Sequence, residues 1–245
     1  MGLSPSTLFH FTSMEGLKGI LKDNFRINYC LEELGHNDRP IKMAIPMVSF
    51  CDIKISEITE HIGKYGHYGI GLSKKWAFES GLNPVFYVNI KSTFPNRLIS
   101  TLRIFNSLDS ISNYDKDSYT NLIRYMKIYE GELKRDIKII ENYRFADERE
   151  WRYVPDLNPE KPFLGWLTST QYDTELKKEN ANSKLKNERL YFNANQILYL
   201  IVKEEIEIEE IIDHIRNVKS KNYSLNEVER LMTRIISCER ILNDF

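Results

Sequence analysis

The sequence is poor in the features that most quickly assign a protein to a class. It has three cysteines in 245 residues, Cys30, Cys51 and Cys238, with no CxxC pair. That odd, scattered set excludes a disulfide framework and points to a reducing compartment. No apolar run approaches the roughly 18 residues of a membrane span, and the opening Met1-Gly2-Leu3-Ser4-Pro5 lacks the basic and then apolar zones of a signal peptide. A cytoplasmic protein with no membrane partner is expected. An excess of one charge is missing too, since 34 Lys and Arg stand against 35 Asp and Glu, so no global field advertises nucleic acid. There is no GxSxG elbow and no Walker loop, and His36, Cys51, His61 and His67 form neither a CxxC nor an HExxH zinc arrangement. No metal is expected.

What is present is an ordinary globular composition, 42% hydrophobic and 28% charged, with 14 Tyr and 12 Phe. The length suits one α+β domain over 1–245. A helical insertion is expected at about 98–143, a mobile polar loop at about 156–188 and C-terminal helices at about 206–243.

Leu8-Phe9-His10-Phe11-Thr12 alternates as a half-buried strand does, placing His10 and Thr12 on one face and Phe9 and Phe11 on the other. Thr12 or Ser13 can cap a helix over 14–22, whose free N–H groups would point at the same edge. Residues 24–42 show no sustained period and read as a loop with short pieces of structure. Met43 to Asp52 reads as a second strand with Pro46 near its start, as an edge strand or strand beginning allows, and with Ser49 and Cys51 on one face. A helix is expected over 53–64. Tyr65-Gly66-His67-Tyr68-Gly69-Ile70-Gly71-Leu72-Ser73-Lys74 reads as a turn feeding a strand whose glycines admit a ligand or a second backbone. The spacing is wrong for a dinucleotide-binding GxGxxG. A strand is expected over 83–91 and a long amphipathic helix over 118–142.

The densest polar cluster is Asp147-Glu148-Arg149-Glu150-Trp151-Arg152. It reads either as a salt-bridged surface strand or as one carboxylate, Glu150 or Glu148, kept ionised by arginines beside an aromatic wall. A metal-dependent nuclease would also use these carboxylates, but no lysine partner is apparent, and as a strand they fall on both faces. Two short strands, at 190–192 and 196–203, and two amphipathic helices, at 206–217 and 225–243, complete the chain, with Ser224 as a cap.

Taken in order, His10-Phe11-Thr12, Ile45-Pro46-Met47-Val48-Ser49-Phe50-Cys51-Asp52, the Tyr65 to Lys74 run and Glu148-Arg149-Glu150-Trp151-Arg152 closely resemble the AbiGi family of abortive phage infection proteins, over about residues 8 to 203. More distantly the chain is similar to the ADP-ribosyltransferase fold, including DarT-type toxins that modify DNA. That resemblance implies a split mixed β-sheet with flanking helices and a helical insertion, and an NAD pocket with NAD as substrate. His10 would bond a ribose hydroxyl, and Tyr68 or Tyr65 would pack on nicotinamide. Glu150, or Glu148, would bind the ribose 2′-hydroxyl and stabilise the oxocarbenium-like centre as nicotinamide leaves. His10 and Glu150 are the implied catalytic pair. The implied cofactor-facing set is His10, Phe11, Thr12, Ser49, Tyr65, Tyr68 and Arg152. The function implied is ADP-ribose transfer to a macromolecular acceptor, nucleic acid or protein, within phage defence or a toxin–antitoxin pair. Its counterpart from another class is a non-catalytic antitoxin or sensor that binds a partner protein, its cognate toxin or antitoxin, or a nucleotide.

Overall fold

The computed structural model describes residues 4–34, 41–135, 138–157 and 160–244. His36, considered for zinc and set aside, lies outside them. The chain forms two compact units interleaved in sequence: a terminal unit, Met1–Arg26, Ser49–Leu82 and Arg189–Phe245, and a central unit, Ile27–Val48 and Asn83–Glu188.

The terminal unit is built on a mixed sheet. Its strands run Ile235–Ser237, Ile197–Val202, Tyr68–Ser73, Thr7–Thr12 and then the end of Ile41–Cys51. The first pair is parallel and the others antiparallel. The helix Met14–Asp23 forms where its sequence predicts, with Leu17, Ile20 and Leu21 buried at helical spacing and Ser13 as its N-cap. It packs against Ile208–Lys219, which buries Ile211 and Ile215 one turn apart. One face of the sheet closes over Phe9, Ile58, Ile62, Ile201 and Ile241.

Two glycines make that face possible. Thr7–Thr12 pairs with Tyr68–Ser73 so that Phe9 lies opposite Gly71 and Phe11 opposite Gly69. A Cβ at Gly71 would lie 2.8 Å from Phe9 Cε1 and 2.9 Å from Thr7 Cγ2, and one at Gly69 would lie 3.1 Å from Phe11 Cδ1. The space the sequence reserves for a ligand or a second backbone is therefore filled by aromatic rings of the adjacent strand.

In the central unit Asn28–Leu34 pairs with Ile41–Cys51 from Asn28↔Met47 to Leu34↔Ile41, so much of the expected 24–42 loop is sheet. Pro46 sits in the strand interior opposite Tyr29, whose N–H donates instead to Asn182 Oδ1 at 2.9 Å. The pair exchanges no bond from that N–H, and proline's missing donor is tolerated there. Leu34, Met43, Ile45, Met47, Val88, Met126 and Val154 form the core of this unit.

Several expectations need correction. The helix expected over 118–142 stops at Arg124; Met126–Ile128, Gly131–Arg135 and Lys138–Tyr143 are strands, the last two a hairpin and the first a parallel partner of Phe86–Val88. Apolar residues spaced by three and four there also satisfy a period of two across short strands. The insertion over 98–143 is thus helical only through Phe94–Ser107 and Asn113–Arg124. The 83–91 strand is divided into Asn83–Pro84 and Phe86–Val88, with the Val85 N–H bonded to Glu150 O at 3.0 Å. Within the expected mobile loop over 156–188, Glu175–Ser183 is a helix that Thr174 caps, and Leu167–Thr168 is a short strand. The last helix is split into Leu225–Met232 and Cys238–Asp244 by the strand Ile235–Ser237. Among the described residues no helix is long and apolar enough to cross a membrane.

These packing relations predict opposite responses from two glycines. Gly71→Ala will lower stability by about 1–3 kcal/mol through overpacking against Phe9. Gly19→Ala, on an exposed helical position where an added Cβ meets nothing within 4 Å, will raise it by about 0.5–1 kcal/mol. Thermal denaturation of the two variants measures both signs.

Candidate functional site

The terminal unit holds His10, Phe11, Thr12, Ser49, Tyr65 and Tyr68. The β register sets Thr12 opposite Tyr68 and His10 opposite Ile70, so His10, Thr12 and Tyr68 share one face, as their alternation predicts. His10 Nδ1 lies 2.8 Å from the backbone oxygen of Ser49. A carbonyl can only accept, so Nδ1 carries the proton and Nε2 is left as an acceptor. The imidazole meets Phe25 edge-on, with centroids 5.2 Å apart, and Phe50 at 5.6 Å. Burial lowers its pKa below the ordinary histidine value, and the Ser49 bond opposes that shift without cancelling it. A neutral ring with Nε2 left as an acceptor suits a hydroxyl donor better than an anion.

The neighbouring candidates are already engaged. The Tyr68 hydroxyl donates to Glu207 Oε1 at 2.7 Å, and burial together with that carboxylate pushes the phenol up to about 12. Glu207 Oε2 in turn accepts the N–H groups of Lys203 and Glu204 at 2.9 and 3.1 Å. Tyr68 thus fastens the turn before the Ile208–Lys219 helix. Tyr65 stacks on His61 at 5.7 Å. Phe11 packs against the hydrophobic core on the face away from His10. Thr12 Oγ1 lies against Gly16, where any side chain would collide with it.

The central unit holds Glu148, Glu150 and Arg152, and here the sequence reading needs two changes. Glu148 is not a strand residue: Phe145–Glu148 is a 3-10 turn, Arg149 adopts a left-handed conformation at φ 45°, and the strand begins at Glu150. That turn brings Glu148 and Glu150 to one ammonium. Lys127, the lysine partner that the local sequence around the carboxylates lacks, lies 3.2 Å from Glu148 Oε2 and 2.6 Å from Glu150 Oε2. Its signal was the short alternation Met126-Lys127-Ile128, hidden inside a run that also has helical spacing.

Arg152 is the centre of the network and has no exposed surface. Its Nε donates to Glu150 Oε1 at 2.6 Å and its Nη2 to Glu32 Oε1 at 2.7 Å. Its Nη1 donates to the carbonyls of Arg124 and Met126 at 3.2 and 3.3 Å. The Glu150 N–H donates to the Tyr87 hydroxyl at 2.8 Å. Burial alone would raise the Glu150 pKa, but Arg152 and Lys127 overcome it and hold the carboxyl down at about 2. Glu32 is shifted the other way, upward, because burial outweighs its attraction to Arg152 and Lys127. Glu32, Lys127 and Tyr87 are the members of this site that sequence reasoning did not find. The structure brings Glu150 together with Glu148 and Arg152, and His10 together with Ser49. Among the described residues no group of three or more His, Cys, Asp or Glu is arranged to hold a metal ion.

Because its folded pKa is depressed, Glu150 contributes stability that is complete above its unfolded value near 4.5 and is lost as pH falls toward about 2. Glu150→Gln removes a buried partner from two cations and will cost about 3 kcal/mol at neutral pH. Acid titration of stability will be shallower in the variant than in the wild type between those pH values. The two proteins' denaturant midpoints, measured across that range, check both effects. For His10, the proton-decoupled 15N chemical shifts of the ring will report the Nδ1–H tautomer at pH 7 and a titration midpoint below 6.5.

Residues 23–203 match the AbiGi family, described as "Putative abortive phage resistance protein AbiGi, antitoxin". The chain is 29% identical over 242 residues to the abortive phage resistance protein AbiGi of Lactococcus lactis subsp. cremoris, covering 87% of this chain and 94% of that protein. No solved structure matches the chain. The family match runs through both units and includes Ser49, Tyr65, Tyr68, Glu150 and Arg152, and on that extent the chain belongs to the AbiGi family.

Proposed function

We propose that the protein is an antitoxin of a phage-resistance pair that acts by binding its cognate toxin and not by turning over NAD. The observation that carries this reading is the state of Glu150. Cleavage of a glycosidic bond to nicotinamide needs a carboxylate oxygen free to meet the ribose 2′-hydroxyl and the developing oxocarbenium charge. Both oxygens of Glu150 instead accept short bonds from cations, Arg152 Nε and Lys127 Nζ, each at 2.6 Å, and the residue is 4% exposed. A carboxylate with both oxygens already held by cations has no free edge for a ribose hydroxyl unless those bonds are given up. The antitoxin description of the family and the phage-resistance name of the lactococcal relative support the same reading.

A second reading keeps an ADP-ribosyltransferase-like fold with an NAD pocket and ADP-ribose transfer to a macromolecule. It is favoured by the His10 tautomer, whose Nε2 is left able to accept from a hydroxyl, on a strand face that Thr12 and Tyr68 share.

Two measurements separate them. Expression of the protein alone is expected to leave growth unaffected, and co-expression to neutralise the cognate toxin, in wild type and His10→Gln alike. Purified protein incubated with NAD is expected to release no nicotinamide. Toxicity on solo expression, or nicotinamide release, that His10→Gln abolishes would overturn the binding reading in favour of the enzyme.

A further inference from the structure

The central unit leaves an apolar groove open. Phe86, Phe94, Leu98, Leu122, Tyr125 and Met126 line about 320 Å³, and Phe86, Phe94 and Leu122 remain 55%, 47% and 54% exposed. Three large side chains held half in water around one concavity are the mark of a surface that another molecule covers.

On the Phe86–Leu98 side of the groove the charge has one sign, while on the other side Asp156 and Arg124 both act on Tyr125. From Ser80 to Leu108 the sequence carries Lys91, Arg97 and Arg103 and no Asp or Glu. Lys91, Arg97 and Arg103 are exposed, and none of them makes an ion pair among the described residues. Arg97 follows Phe94 by three residues and directly precedes Leu98, which sets it on the flank of the groove-lining stripe. The helix Phe94–Ser107 starts beside the groove with no side-chain cap at Thr93 and no acidic residue in its first turn. Its orphan N–H groups and positive dipole end therefore add to the same field.

We propose that this groove docks an acidic amphipathic helix of the cognate toxin. Its apolar residues, spaced by three and four, would seat on Phe94, Leu98 and Leu122. Its carboxylates would meet Arg97, Lys91 and the uncapped helix start. The identity of the partner rests on the antitoxin reading; the chemistry of the groove does not.

The test uses a fluorescent synthetic helix of about 20 residues with leucines along one stripe and glutamates elsewhere, and a second peptide in which lysines replace the glutamates. Anisotropy is expected to show binding of the glutamate peptide to the full-length protein, weakened at least about tenfold by Leu122→Asp and by added salt. Arg97→Glu is expected to reverse the preference toward the lysine peptide. Phe94→Ser serves as a second groove variant, and circular dichroism checks that each variant is folded. Equal binding of both peptides, no binding of either, or indifference to both groove variants overturns the proposal. A dimer in sedimentation that Leu122→Asp dissociates also overturns it, since the occupant would then be a second copy.

Toxin neutralisation is read separately. If wild type and Leu122→Asp neutralise equally, the docking assignment falls and the antitoxin reading stands. If wild type fails to neutralise, that reading falls and the toxin as occupant falls with it, whatever the peptides do.

Discussion

Arg152 is the constraint on which the central unit is arranged. A guanidinium cannot give up its proton inside a protein, so every element near it must supply an acceptor. Glu32 arrives from the Asn28–Leu34 strand, Glu150 from the residue's own strand, and the Arg124 and Met126 carbonyls from the junction of helix and strand. Lys127 then answers the remaining negative charge of Glu150 and Glu148. A buried network of this kind adds little net stability over an apolar core, and its value lies in specifying which strands meet. The same bonds that make the unit specific occupy the carboxylate that an NAD-cleaving reaction would need.

The terminal unit is organised differently. There the strand Thr7–Thr12 presents two faces with separate duties. Phe9 and Phe11 lie over the glycines of Tyr68–Ser73 and bind the sheet to its core. His10 is steered by one backbone carbonyl and two phenylalanine rings into a single tautomer. An acceptor nitrogen positioned this way suits a hydroxyl-bearing ligand and equally a sheet rim, whereas both oxygens of Glu150 are already held by cations.

The sequence was most legible where one physical signal dominated. The alternation at Leu8 to Thr12, the Ser13 and Ser224 caps and the amphipathic pattern over 206–217 each found their element. It was least legible where apolar spacing satisfied two periods, as between Met126 and Tyr143, and where tertiary contacts ordered a polar segment. Glu175–Ser183 falls in what reads as a mobile polar loop, yet Asn182 within it accepts from the Tyr29 N–H. The role of Arg152 beside Glu150 could be read from their spacing, whereas Lys127 and Glu32 come from strands that only the fold brings near. Glu148 was misplaced for a backbone reason, because the left-handed Arg149 changes which way the preceding residue points.

The interleaving of the units also sets an order in time. Thr7–Thr12 leaves the ribosome first, but its neighbour Tyr68–Ser73 has an open edge until Ile197–Val202 is synthesised, and that strand in turn waits for Ile235–Ser237. The central unit, contained within Ile27–Glu188, is complete on the nascent chain well before the terminal sheet can close. Domains fold as units during synthesis, and unpaired strand edges are where nascent chains are most exposed to aggregation and proteolysis. A chain that ended before Ile197 would therefore carry the whole sequence of the central unit and a terminal sheet with an unpaired edge at Tyr68–Ser73.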